Sequence, residues 1–280
     1  MGYKMIVTSL RAYLTVPSTL HAYTLPDKFC FLVGKGLLNS SLIFGFTFYM
    51  TLTMKKIGVL LHGNGVFDGS EIHESVFTLL AIAEAGAEAV CFAPNVAQHH
   101  VLDHTTGREM PETRNVLVES ARIARGNIKD IVEVKAEDLD GLVMPGGFGT
   151  AKNITKWAFE GPNGPVLDSV KNLIIDLVRQ GKPIAGLCMS PTTIAKALEG
   201  TEYHAHLSVG TAAEASPYDI AAISAGMESI GQVAEMASVR DIVVDNDLKI
   251  ITAPCYMMEA SIVEVRENIK QAVEKLISLA

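Results

Sequence analysis

The stretch Lys182-Pro183-Ile184-Ala185-Gly186-Leu187-Cys188-Met189-Ser190-Pro191, followed by Thr192 to Leu198, decides how the chain is read. A short apolar run ends in Gly-x-Cys, and a helix-forming segment begins at once. That order of strand, tight turn and helix predicts a nucleophile elbow, with the helix N-terminus aimed at the turn. Free N–H groups and the dipole at that terminus favour a thiolate, so Cys188 is expected to be more acidic than an ordinary thiol. Gly186 leaves space for the close backbone approach that an elbow needs. A buried cysteine that merely fills a strand end has the same local pattern, and the neighbouring segments must decide between the two.

Outward from the elbow, strand and helix signals alternate. Residues 57–62 form a continuous apolar run, as expected for a strand buried on both faces. Residues 71–85 show helical spacing, with Ile72, Val76, Leu79, Leu80 and Ala83 on one side and Gly86 as the stop. Further strands are predicted at 88–93, 141–144, 183–187, 242–244 and 250–252. Further helices are predicted at 114–125, 166–179, 191–198 and 261–279. This βαβα order demands an α/β fold with a mostly parallel sheet and helices on both faces. Ligands of such folds sit outside the carboxyl ends of the strands. The loops there are 62–74, 145–153 and 187–191, while 98–107, rich in His and Thr, reads as a long surface loop.

The net charge of −8 hides a division. Residues 1–53 carry Lys4, Arg11, Lys28 and Lys35 against Asp27 alone, hence +3, which leaves −11 for the remainder. That first segment also holds nine of the eighteen aromatics and no glutamate. Residues 1–53 are therefore set apart as a leader and 54–280 as the working domain. The natural beginning Met54-Lys55-Lys56 favours an over-long start; a targeting segment and a membrane anchor formed by the uncharged stretch 36–54 are the alternatives. A membrane is a partner only if the leader is genuine. An acidic body without a basic stripe argues against nucleic acid. Cys30, Cys91, Cys188 and Cys255 are widely spaced, which speaks against a zinc site or a disulfide framework and for reduced thiols in the cytoplasm.

Three constellations lie near the elbow. Gly63, Gly65 and Gly69 make a pattern one residue longer than the dinucleotide fingerprint, and the acid that should close the next strand is replaced by Ala93-Pro94. Glu71 and Glu74 suit the first turn of a helix on dipole grounds alone. Glu74 is also placed to handle protons beside Cys188, with His73 adjacent but about 100° round the helix. The loop Pro145-Gly146-Gly147-Phe148-Gly149 offers backbone N–H groups; those of Gly147, flanked by Gly146, and of Met189 are candidates for an oxyanion hole. Lys152 and Asn153 suit either an anionic substrate or the surface. His99, His100, Asp103 and His104 lack the helix and second cluster of a metal shell, so no metal ligands are assigned.

These pieces together resemble the ElbB-type branch of the PfpI-like, class I glutamine amidotransferase-like superfamily. The matching segments are GNGVFDGSEIHE at 63–74, CFAP at 91–94, ETRNVLVESARIARG at 112–126, PGGFGTAKN at 145–153, GKPIAGLCMSP at 181–191 and TAPCYM at 252–257. The resemblance implies a flavodoxin-like three-layer α/β sandwich, homodimers, and a glyoxalase activity that needs neither glutathione, metal nor another cofactor. It implies Cys188 as nucleophile, Glu74 as proton-handling partner and His73 as a third member. Amidotransferases of this class carry a His-x-Glu pair near the C-terminal end of the sheet. Here that region reads Ala253-Pro254-Cys255-Tyr256-Met257-Met258-Glu259, without histidine. His204 and His206 follow the elbow helix, where other branches place a catalytic histidine that this branch does not require. The expected function is conversion of small 2-oxoaldehydes such as glyoxal to 2-hydroxy acids through a cysteine hemithioacetal. A stress-linked redox sensor or interaction protein is the alternative, and an amidotransferase-like hydrolase ranks third.

Overall fold

The computed structural model describes residues 21–25, 29–35, 45–51 and 54–280. Two units are distinguished, one ending at Thr53 and the other spanning Met54–Ala280. In the first, β1 (His21–Leu25), β2 (Phe29–Lys35) and β3 (Gly45–Thr51) form an antiparallel sheet in that order. The uncharged stretch 36–54 thus contributes a strand, and among the described residues no helix is long and apolar enough to cross a membrane. The sequence-based choice between an over-long start and a targeting segment falls partly on residues 1–20, outside the described residues.

The second unit runs β4 (Lys56–Leu60), α1 (Ile72–Glu84), β5 (Glu88–Ala93), α2 (Val116–Ile123), β6 (Lys129–Asp130), β7 (Gly141–Met144), α3 (Trp157–Glu160) and α4 (Asp168–Arg179). It continues with β8 (Ile184–Leu187), α5 (Pro191–Leu198), β9 (His206–Leu207), α6 (Ile220–Ser229), β10 (Val233–Ala234), β11 (Val243–Asp245), β12 (Ile250–Ala253) and α7 (Ile262–Leu279). Seven strands form one sheet in the order β11-β12-β8-β7-β4-β5-β6. Every pair is parallel except β11 with β12. β7, β8 and β12 are buried throughout, which is why their sequences are near-continuous apolar runs, broken only by Thr252, rather than alternating ones.

Two glycines show that helices cover both faces. A side chain at Gly141 would meet Leu276 of α7, and one at Gly186 would meet Ile194 of α5. Gly186 is level with Met144, three residues beyond Gly141, so the two positions project to opposite faces of the sheet. α1 packs beside α7, and α4 beside α5. The fold is therefore a flavodoxin-like α/β sandwich, as the alternating order predicts. Sequence periodicity does not give the short edge strand β6, the antiparallel β11, the separate parallel pair β9–β10 or helix α6.

Candidate active site

The four neighbouring strands β12, β8, β7 and β4 all end on one side of the sheet, and their following loops meet there. β8 and β12 bring Leu187 level with Ala253, and the Cys188 N–H extends the ladder by donating to Ala253 O at 2.9 Å. Cys188 itself has φ +56°. A left-handed non-glycine residue costs about 1–2 kcal/mol and persists only where its surroundings hold it. Two restraints do so here. Pro191 opens α5 with its φ already helical, and the Ser190 hydroxyl donates to Pro145 O at 2.7 Å, tying the elbow to the glycine loop.

Glu74 arrives from α1. Glu71 caps that helix, its carboxylate accepting the Glu74 N–H at 2.6 Å, so the first acid of the pair is structural. Glu74, fully buried, points inward instead. Its Oε2 accepts the Gly146 N–H at 2.8 Å and its Oε1 accepts the Tyr256 N–H at 3.3 Å. Its carboxyl raises the Cys188 thiol by its charge, while the backbone N–H groups of Gly147 and Met189 favour the ionised sulfur. Gly146 lies between acid and thiol. A Cβ there would stand 2.5 Å from Glu74 Oε2 and 2.7 Å from Cys188 Sγ, so only hydrogen fits.

Burial dominates the electrostatics. It pushes the Glu74 carboxyl up to about 8, the charge of Glu71 adds to this, and the N–H donors of Gly146 and Tyr256 oppose it. It also pushes the Cys188 thiol well above its ordinary range; the charge of Glu74 contributes next, against the two N–H donors. The acidic thiol expected from the elbow is therefore corrected: the donors are present, but desolvation and an adjacent carboxyl outweigh them. Two such neighbours do not ionise together, so the pair carries one negative charge at most, passed between oxygen and sulfur through one shared proton.

The structure gathers Cys188, Glu74, Gly146, Gly147 and Met189 at one point. It places His73 elsewhere, exposed, with its Nδ1 3.0 Å from the Tyr256 hydroxyl. His204 and His206 also face outward, bound to Gly231 O and the Glu235 carboxylate. Lys152 donates to Phe67 O at 2.7 Å, and the Asn153 amide donates to His62 O and Asp68 O, so both tie loops together. Gly63, Gly65 and Gly69 serve the same end: the Gly65 N–H donates to Ser70 O and the Gly69 N–H to Gly65 O, leaving no phosphate cradle. Among the described residues no group of three or more His, Cys, Asp and Glu is arranged to hold a metal ion.

Three further residues matter at this site. His62, buried and lowered to about 4 chiefly by desolvation, bridges Pro145 O and the Ser70 hydroxyl as a neutral ring that steadies the glycine loop. Tyr256 supplies a backbone donor to Glu74. Tyr218 stands in the field of Cys188 and Glu74, with its hydroxyl raised to about 12 mainly by burial. The sequence signals were weak: Tyr256 lies in the TAPCYM match, whereas Tyr218 follows only the turn signal Ser216-Pro217.

No family model matches the chain. The chain is similar to human glutamine amidotransferase-like class 1 domain-containing protein 3, mitochondrial, with 36% identity over 226 residues, 80% of this chain and 83% of the relative. It is similar to the rat ES1 protein homolog, mitochondrial, at 35% identity over 80% of this chain and 84% of that protein. A solved Ehrlichia chaffeensis structure, described as an isoprenoid biosynthesis protein with an amidotransferase-like domain, superimposes with TM-score 0.72 and 31% identity, covering 80% of this chain and all of that one. Because these curated relatives are named as mitochondrial, the cytoplasmic location expected from the cysteine pattern is corrected: free thiols are compatible with more than one reducing compartment. With identity above 30% across four-fifths of its length, the chain belongs to the class I glutamine amidotransferase-like family.

Proposed function

We propose that the protein is a metal-independent glyoxalase acting on 2-oxoaldehydes, with Cys188 and Glu74 as its catalytic pair. The observation that carries this is the buried placement of the Cys188 thiol and the Glu74 carboxyl on either side of Gly146, with the Gly147 and Met189 N–H groups beside the sulfur. In the proposed sequence Cys188 Sγ attacks the aldehyde carbon while its proton passes to the Glu74 carboxylate. The negative charge leaves sulfur for the carbonyl oxygen, where the same two N–H groups receive it, and Glu74 returns the proton to that oxygen. Glu74 then takes the hydrogen from the former aldehyde carbon and delivers it to the neighbouring carbon through an enediol, while the hemithioacetal hydroxyl proton passes to the neighbouring oxygen. The resulting thioester is hydrolysed by water, releasing the 2-hydroxy acid and regenerating the thiol. Glyoxal plus water thus becomes glycolate, with no external oxidant or reductant.

A redox sensor needs an exposed, acidic thiol, and Cys188 is 6% exposed with its thiol pushed up. A glutaminase needs a histidine to activate the cysteine, and the turn after β12 presents Cys255 and Tyr256 instead. We assign the protein to mitochondria, on the names of its relatives and the acid-poor segment 1–53, and to a homodimer, on the branch resemblance. The test of activity is glycolate production from glyoxal by purified protein. Turnover by Cys188→Ala equal to the parent would sink the assignment, as would no turnover by the parent.

A further inference from the structure

The two residues next to the reactive groups continue into a second space. Phe148 follows Gly147 and Met189 follows Cys188, and their side chains wall a cavity of about 460 Å³ completed chiefly by Trp157, Pro217, Tyr218 and Ile223. The Phe148 and Tyr218 rings meet edge to face at 5.7 Å. Its one charged lining residue, Asp219, is engaged, capping α6 by accepting the Ala222 N–H at 2.9 Å. The cavity is built rather than incidental: Gly226 of α6 comes so close to the Trp157 ring that a Cβ would lie 3.0 Å from it. Glyoxal, with hydrogen on both carbons, would leave this space unused. Ligand sites of this kind have volumes of a few hundred Å³ and are mostly apolar with a few polar groups converging at one end. Here the reactive groups adjoin the cavity through its wall: Met189 and Phe148 directly follow Cys188 and Gly147, and Tyr218 stands in the field of Cys188 and Glu74.

We infer that this cavity is a subsite for an apolar substituent on the substrate, so that the preferred 2-oxoaldehyde carries an alkyl or aryl group on its keto carbon. The inference rests on the glyoxalase assignment for the chemistry, but not for the binding. Each methylene seated in such a pocket is worth about tenfold or more in kcat/KM. Phenylglyoxal is therefore expected to exceed glyoxal by roughly 100-fold in kcat/KM. Ala222 lies exposed on the cavity rim, and Ala222→Phe should fill the opening and cut that ratio at least about tenfold.

Binding can be read without turnover, because Trp157 is the only tryptophan in the sequence and lines the cavity. Cyclohexyl methyl ketone, which has no aldehyde, should change Trp157 fluorescence saturably once its weak carbonyl absorption is corrected for, and Ala222→Phe should weaken that binding. A saturable, variant-sensitive change without turnover of any 2-oxoaldehyde supports the subsite and removes the proposed activity. Glyoxal turnover with no aryl preference and only a linear fluorescence response overturns the subsite and leaves the proposed activity standing.

Discussion

Glu74→Gln should change how stability depends on pH, and the structure fixes both the window and the sign. In the unfolded chain the carboxyl titrates at its ordinary 4.5, and in the fold at about 8. Between those values the folded state holds one proton more than the unfolded state, so stability falls as pH rises, by about 1.4 kcal/mol per pH unit. His62 works in the opposite direction. Its ring is held neutral with a value of about 4 against 6.5, so between these the unfolded state holds the extra proton and stability rises with pH. The two slopes oppose one another up to pH 6.5. Above it Glu74 acts alone, and the loss from pH 6.5 to 8 amounts to about 2 kcal/mol. Urea unfolding at constant ionic strength across this window, with the m-value checked for constancy, measures it. The parent should lose that stability and Glu74→Gln should be flat. Equal slopes in the two proteins would refute a carboxyl held protonated by burial.

The same proton should shape activity: kcat/KM for a 2-oxoaldehyde should rise with unit slope toward pH about 8, as the pair gains its single negative charge, and Glu74→Gln should abolish that limb. Gly146→Ala forces a methyl group 2.3 Å from Cys188 Cβ and should lower kcat/KM about 100-fold by parting thiol and acid. Asn153→Ala removes the donor to His62 O and Asp68 O and should cost about 2–3 kcal/mol in urea unfolding. Ser261→Ala breaks the reciprocal capping box at the start of α7, with an expected loss of about 1 kcal/mol and unchanged turnover.

The central fold was legible because buried parallel strands and amphipathic helices leave different periods in the sequence. β5, β7 and α5 follow directly from apolar run, spacing and stop. Helix α6 escaped because its Ala-rich sequence has no clear apolar stripe, although Asp219 is a regular cap signal. Strand β11 was visible as a strand but not as antiparallel, since direction is set by a turn at Asp245 to Lys249 and by packing at the sheet edge. At the site, Cys188 and Glu74 were legible as reactive types at the ends of predicted elements. The thiol's acidity was not, because a helix terminus is a local signal whereas desolvation depends on everything packed above it. His73 entered as a third member only through the family resemblance, and on a helix one residue of offset from Glu74 turns its side chain from the cleft to solvent.

The contact between thiol and acid is finally a matter of sheet register. β7 and β8 pair with Met144 level with Gly186. Gly146 lies two residues beyond the first and Cys188 two beyond the second, so the gap in the glycine loop and the left-handed elbow arrive at the same height. A slip of one residue would bring Pro145 level with Cys188. Pro145 has no N–H for Glu74, and its ring would occupy the space that Gly146 leaves between Sγ and Oε2. Gly146 also accepts the Glu71 N–H through its own carbonyl at 2.8 Å, so the loop that admits the acid anchors the helix delivering it. Inserting one residue between Met144 and Gly146 should therefore abolish turnover while far-UV circular dichroism shows the α/β sandwich intact. Retained turnover would mean that the chemistry does not depend on this contact.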